Sequence, residues 1–308
     1  MCTIVRSAWI PSILALFLSL ASIDRAQTSE AQSGANWQRV VSDSGEFSIE
    51  VPSSFSFFAD KDGFVMAKSG GGDVPVKGMQ VLNSVSDGTV VSVEIYEVGK
   101  AILDQMFEQD KLSYKGASSE RTKDKGYELS QNDGKPEKAV WTRKYFASKK
   151  YIYILTAGSR QPNSEVARRF FASMRFSPNT NDEADAGATF SNLRVTTVEV
   201  EDVIDPELPE PNKSSAADPD VQPLMIISRP MAGYTQAARD KSTSGVIRLK
   251  ATLTKEGGIS KIVVVRSLPN GLLRQAVFAL LRIKFLPKTK AGQPFDSTVT
   301  IDYTFAIF

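Results

Sequence analysis

Catalysis in this chain would have to come from carboxylates, lysines and hydroxyls, because its 308 residues contain no histidine and a single cysteine, Cys2. That excludes a Ser-His-Asp triad, a Cys-His pair, histidine-ligated zinc and a histidine proton relay. One thiol forms no intramolecular disulfide and no cysteine metal site. Ser-x-x-Lys, Gly-x-Ser-x-Gly and Gly-Lys-Ser/Thr are also absent. The triple glycine Gly70-Gly71-Gly72 runs into Asp73-Val74-Pro75, which offers a phosphate neither a lysine nor a helix start, and it reads as a loop. The expected chemistry is recognition, without enzymatic activity, metal or cofactor.

The elements that would position such recognition begin after residue 35. Arg6 precedes an apolar run of 16 residues, Ala8 to Ile23, with Pro11 inside it. A bilayer core needs about 20 apolar helical residues. Residues 1–26 therefore read as a secretory signal, with cleavage after Ala21, Ala26 or Ala31. The alternative is an uncleaved inner-membrane anchor over residues 8–23. Either way the mature chain is expected in the periplasm.

Residues 36–178 read as an α+β domain. Phe47, Ile49 and Val51 alternate with Ser48 and Glu50 in a strand that Pro52 ends. Val90–Tyr96 is a second strand, and 139–146 with 151–157 a hairpin turning at Ser148-Lys149-Lys150. Helical spacing marks 100–110 and the stretch after Asn163 or Ser164, where Val166, Ala167, Phe170, Phe171 and Met174 share a face. Phe55, Phe57, Phe58, Trp141, Tyr145, Tyr151 and Tyr153 follow strand faces, which favours core packing over a ligand cleft. Arg143-Lys144 and Lys149-Lys150 read as solvated hairpin residues, since no longer basic run surrounds them.

Residues 179–223 form an acidic linker. Positions 181–220 hold 11 acidic and two basic residues, a net −9, with Pro206, Pro209, Pro211 and Pro219 interrupting any helix. Such a stretch is expected to be a disordered tether. The exception is Phe190–Val200, where Leu193, Val195 and Val198 suggest a short strand. About 45 flexible residues span roughly 35–40 Å on average, reach enough to move one domain against the other.

Residues 224–308 carry 13 basic and four acidic residues, a net +9. Residues 245–253 alternate, Lys255-Glu256-Gly257-Gly258 turns the chain, and 259–267 returns. Leu272, Leu273, Ala276, Val277, Leu280 and Leu281 make one helical stripe. Ser297–Phe308 then alternates strictly, with Val299, Ile301, Tyr303, Phe305 and Ile307 on one side. Three antiparallel strands with a helix on one face leave an unpaired edge, which recruits strands unless protected. The two regions together make two small two-layer α/β domains around the tether. Their opposite charges suggest a clamp in which the tether covers the basic domain. The alternative is two independently solvated regions, since screening acts within about 8 Å.

Arg229-Pro230-x-x-x-Tyr234-x-x-x-Ala238-Arg239, Gly245-Val246-Ile247, Gly257-Gly258-Ile259, the apolar stretch from Gly271 and Ile283-Lys284-Phe285-Leu286-Pro287 together resemble the C-terminal domain of TonB-family energy transducers. Two positions depart from the commonest pattern: Thr235 where proline is usual and Arg274 where aspartate is usual. The resemblance implies that an outer-membrane receptor's TonB box pairs with the last strand, here Ser297, Thr298, Val299, Thr300, Ile301, Asp302 and Tyr303. It also implies inner-membrane motor proteins as partners, although no histidine stands in the apolar N-terminal segment, and pairing of two copies through this domain. Nucleic acid is not an expected partner. Trp37-x-x-Val40, Gly45-x-Phe47-Ser48-Ile49-x-Val51-Pro52 and Phe170 to Phe176 resemble small envelope α/β domains of the PsbP/DcrB-like kind, which bind partners or ligands. A coupling protein and a periplasmic scaffold both fit.

Overall fold

Strand-forming residues dominate the computed structural model, which describes residues 36–67, 73–114, 116–122, 126–132, 138–176, 187–202 and 220–306. The N-terminal apolar run, the triple glycine and most of the acidic linker lie outside these residues. In chain order the first region contains β1 (Trp37–Val41), β2 (Phe47–Pro52), β3 (Ser56–Asp60), β4 (Phe64–Ala67), β5 (Asp73–Val76), β6 (Met79–Ser86) and β7 (Thr89–Glu97). It continues with α1 (Leu103–Ser113), β8 (Ser118–Arg121), β9 (Tyr127–Gln131), β10 (Val140–Ala147), β11 (Tyr151–Ser159), α2 (Glu165–Ala172) and β12 (Arg175–Phe176). The linker supplies β13 (Ala188–Thr189) and β14 (Glu199–Asp202).

The remainder comprises β15 (Val221–Gln222), β16 (Met225–Ser228), α3 (Gln236–Asp240), β17 (Gly245–Leu253) and β18 (Ile259–Arg266). Then come α4 (Leu272–Leu281), β19 (Lys284–Leu286), β20 (Lys288–Lys290), β21 (Gln293–Phe295) and β22 (Ser297–Phe305).

These elements make a mixed α/β protein whose strands pair mostly antiparallel. A seven-stranded sheet, β3-β6-β7-β11-β10-β9-β8, forms its centre. Side chains alternate across it, so each strand feeds two cores. Val91, Val93 and Ile95 of β7 and Leu155 and Ala157 of β11 face a four-stranded sheet, β12-β2-β1-β13, and α2. There the alternating Phe47, Ile49 and Val51 of β2 are fully buried. Ser164 caps α2 by accepting from the Ala167 amide at 3.2 Å, while Asn163 takes the left-handed φ of 63° before it.

Tyr96, Ile152 and Ile154, on the sheet's other face, share one continuous core with α1 and with the C-terminal Ile259, Phe278, Ile283 and Phe285. The two helices of the first region thus take opposite faces of the large sheet. Residues 35–308 form one compact unit.

Close approaches at glycines fasten the C-terminal strands to the first region. The Gly257-Gly258 turn does more than reverse the chain. A Cβ on Gly258 would lie 2.2 Å from Ser56 Oγ and 2.4 Å from Ser56 Cβ. One on Gly158 would lie 2.3 Å from Ile227 Cδ1, and one on Gly233 2.2 Å from the Val65 carbonyl oxygen. Helix α4 is buried on nearly every side, because Phe64 packs against Phe278 with ring centroids 5.2 Å apart and Gln275 accepts from the Val65 amide at 3.0 Å. Gln275 and Phe278, which lie off the apolar stripe of the sequence, are the α4 residues that meet the first region in these contacts.

The linker is built into this frame at both its ends. Phe190 is fully buried in the first region's core within a 3-10 turn, and Thr196 donates its amide to the Phe57 carbonyl at 2.7 Å. The short strand expected over Phe190–Val200 does not form on Leu193, Val195 and Val198, which are irregular after the 3-10 turn, and β14 begins only at Glu199. Beyond 203–219, Ala291 donates to the Asp220 carbonyl at 3.1 Å.

Gly258→Ala is expected to loosen the docking by about 1–3 kcal/mol, the usual range for overpacking. Chemical denaturation of the single variant and of Gly258→Ala with Ser56→Gly checks this. Rescue by Ser56→Gly identifies the collision, and equal loss in both variants rejects it.

Candidate functional site

The C-terminal sheet runs β14-β18-β17-β22, so β22 is its outer strand on one side. Main-chain direction along β22 follows from the hairpin that starts the sheet. Thr254 donates to the Gly258 carbonyl at 2.9 Å, and Gly257, at φ 88°, donates to the Thr254 carbonyl at 3.0 Å. Thr254 therefore points its polar backbone at β18, and by alternation Leu253, Ala251, Leu249 and Ile247 point theirs at β22. Their register partners are Ser297, Val299, Ile301 and Tyr303. These four spend their amides and carbonyls inside the sheet. Thr298, Thr300, Asp302 and Thr304 turn theirs outward.

The seven residues implicated by the sequence thus divide by parity. One outward group already has a partner: the Arg229 guanidinium donates to the Asp302 carbonyl and lies 5.5 Å from the Tyr303 ring. Among the described residues no strand pairs with this edge. The Asp302 carboxylate is held by Arg248 directly across the ladder, with both nitrogen–oxygen distances 2.8 Å. That bidentate pair keeps its carboxyl below the usual carboxylate range. Ile301, Tyr303 and Phe305 bury the strand's other face.

The opposite edge is covered. Strand β14 lies parallel to β18 with Glu199 beside Lys261 and Asp202 beside Val264. Glu201 reaches the Lys261 ammonium at 2.7 Å and raises its pKa. The acidic segment therefore does meet the basic domain, but along β18 and away from β22.

The family-motif residues support these strands. Tyr234 donates its hydroxyl to the Thr243 carbonyl, its ring centroid 6.0 Å from that of Phe305. Pro230 follows Arg229 at the β22 edge, Ala238 and Phe285 are fully buried, and Pro287 is buried too. Gly245 takes φ 143° under Leu268. Both departures from the commonest pattern have local partners. Thr235 caps α3 by accepting from the Ala238 amide at 3.2 Å and donates to the Asn270 carbonyl at 2.6 Å. Arg274 reaches Asp60 of the first region at 3.3 Å and stacks 4.7 Å from the Phe278 ring.

A buried polar seam beneath this domain is absent from the sequence reading, and it corrects the expectation that Arg143 is a solvated hairpin residue. Glu94, Lys284 and Arg143 are fully or almost fully buried. Lys284 Nζ lies 3.4 Å from Glu94 Oε1 and donates to Asn83 Oδ1 at 3.0 Å. Arg143 contacts Glu94 at 3.0 Å and Asp110 at 3.1 Å. Burial alone would raise the Glu94 carboxyl, but Lys284 and Arg143 outweigh it and hold it below its ordinary value. Burial pushes the Lys284 ammonium down to about 8 against the pull of Glu94. The only sequence signal for this pair was Glu94 and Lys284 each at an inward position of an apolar strand.

Residues 231–307 match the family described as the Gram-negative bacterial TonB protein C-terminal. The three-stranded core, its single long helix and the supporting motif residues thus make residues 231–307 a TonB-type C-terminal domain. The match covers 77 of the 308 residues. This family is one of transport and interaction domains of the bacterial envelope. No curated protein matches the chain. Among the described residues no helix is long and apolar enough to cross a membrane.

Lys284 supplies a pH test. Its folded-state pKa of about 8 lies below the ordinary 10.5, so between those values the unfolded chain binds a proton the native chain has shed. Stability from this group therefore rises with pH through that window and is lowest below it. The stability difference between the wild-type protein and Lys284→Met, followed by urea denaturation from pH 7.5 to 10.5, is expected to grow in favour of wild type. A pH-independent difference excludes the titration.

Proposed function

We propose that the protein binds an extended segment of an outer-membrane receptor by strand addition to β22, supporting energy-coupled transport across that membrane. The observation that carries this reading is the outward row of main-chain groups at Thr298, Thr300 and Thr304, next to an edge that no described strand covers. An added strand would take its affinity from those amides and carbonyls. Arg229 would have to release the Asp302 carbonyl for pairing to extend past Thr300. The domain's excess of basic residues favours an acidic partner segment.

A periplasmic scaffold is the second reading, and one observation favours it. The domain shares a core with the first region, so it is presented as a fixed face of a larger body. Assembly on that face needs no inner-membrane motor. The same strand edge serves both readings, and they differ in whether the captured protein is a transport receptor. Pairing of two copies through β22 uses the same groups and would compete with capture.

The parity of β22 gives a discriminating pair of variants. Thr300→Pro removes an outward amide, whereas Ile301→Pro removes one that bonds to β17. In pull-downs of envelope proteins, Thr300→Pro is expected to lose capture while keeping its thermal unfolding temperature within a few degrees. Ile301→Pro is expected to unfold the sheet. Undiminished capture by folded Thr300→Pro refutes the β22 site.

A further inference from the structure

The first region holds a cleft of about 240 Å³ at one end of the seven-stranded sheet, away from β22. Its floor is apolar, with Ile95 and Ala59, and the half-buried ring of Tyr151 stands beside it. Three carboxylates and two ammonium groups also line it, yet they are not equivalent.

Each carboxylate is already engaged. Asp43 accepts from Gln80 Nε2 at 2.8 Å and from the Ser191 amide at 2.7 Å. Asp60 is paired with Arg274 at 3.3 Å, and Glu97 with Lys150 at 3.3 Å. Lys61 and Lys77 have no ion-pair partner among the described residues. They flank one mouth, because Lys61 follows β3 and Lys77 precedes β6, and the register sets Asp60 beside Met79. Asp43 keeps its charge, since only neutral groups bond it, so the two unpaired ammonium groups leave a net of one positive charge over a hydrophobic floor. An apolar cavity of about 150 Å³ accepts a benzene ring. The space here holds such a ring plus one anionic group.

We propose that this cleft binds a small anionic molecule with an apolar body. Its carboxylate or phosphate is held by Lys61 and Lys77, and its ring or short chain lies on Ala59, Ile95 and Tyr151. This site is independent of strand addition. A few converging polar groups over an apolar pocket are the usual composition of a small-molecule site.

Calorimetric titration of the full chain with phenyl phosphate, benzoate and benzyl alcohol tests it. At least one anion is expected to bind about tenfold or more tightly than the alcohol, an advantage that falls with added salt. Tighter phenyl phosphate binding assigns a phosphate ligand, and tighter benzoate binding a carboxylate. The double variant Lys61→Met, Lys77→Met is expected to remove the preference for anions. Ala59→Trp, which fills the cleft, is expected to abolish binding of all three while receptor capture through β22 is retained. Equal affinity for the alcohol, no binding by any probe at millimolar concentration, or full binding by folded Ala59→Trp overturns the proposal.

Discussion

Burial of the second face of the seven-stranded sheet is the constraint on which the rest of this structure depends. Antiparallel sheets commonly leave one face wet, with polar residues on it. Here β7 and β11 carry large apolar side chains on both faces, and the C-terminal domain covers what α1 leaves bare. The TonB-type domain is therefore structurally part of the first region's core. Gly158, Gly233 and Gly258 matter for the same reason, since a Cβ at any of them would collide with an atom of the other region.

Placing charge inside that contact is costly, and the seam around Glu94 shows how the cost is contained. Lys284, Arg143 and the Tyr96 hydroxyl surround the Glu94 carboxylate, and every carboxylate–cation distance quoted above for the seam is 3.4 Å or less. Buried pairs of this kind seldom add net stability, because desolvation offsets attraction. Removing one partner is far more damaging than exchanging the set for apolar residues. Lys284 reaches Glu94 of β7 and Asn83 of β6 together, so the seam ties β19 to two neighbouring strands of the large sheet.

Much of this was legible in the sequence where a local rule decided the outcome. Alternation in 47–51, 245–253 and 297–305 gave strands because period-2 burial has few other solutions. The turn at Gly257-Gly258 and the break before α4 were marked by glycine chemistry. What stayed hidden depends on contacts between distant segments. Arg274 looked like a departure from pattern until Asp60 appeared beside it. Alternation alone showed which side chains face inward on β22, but the choice between Ile301 and Thr300 for outward amides needed the hairpin geometry at Thr254. The aromatics near Tyr151 do not by themselves reveal the cleft, whose character depends on which of its charges have ion-pair partners.

The covering of β18 by β14 has a topological result. Asp202 already lies on the C-terminal sheet, and the chain re-enters the same domain at Asp220. Residues 203–219 therefore join two points of one domain, and the crossing from the first region is made earlier, by the ordered stretch from Phe190 to Val198. Lengthening or shortening 203–219 leaves the spacing between the two regions untouched. Sequence inserted between Asp202 and Asp220, such as an epitope or a fluorescent reporter, would leave unchanged the distance the earlier crossing fixes.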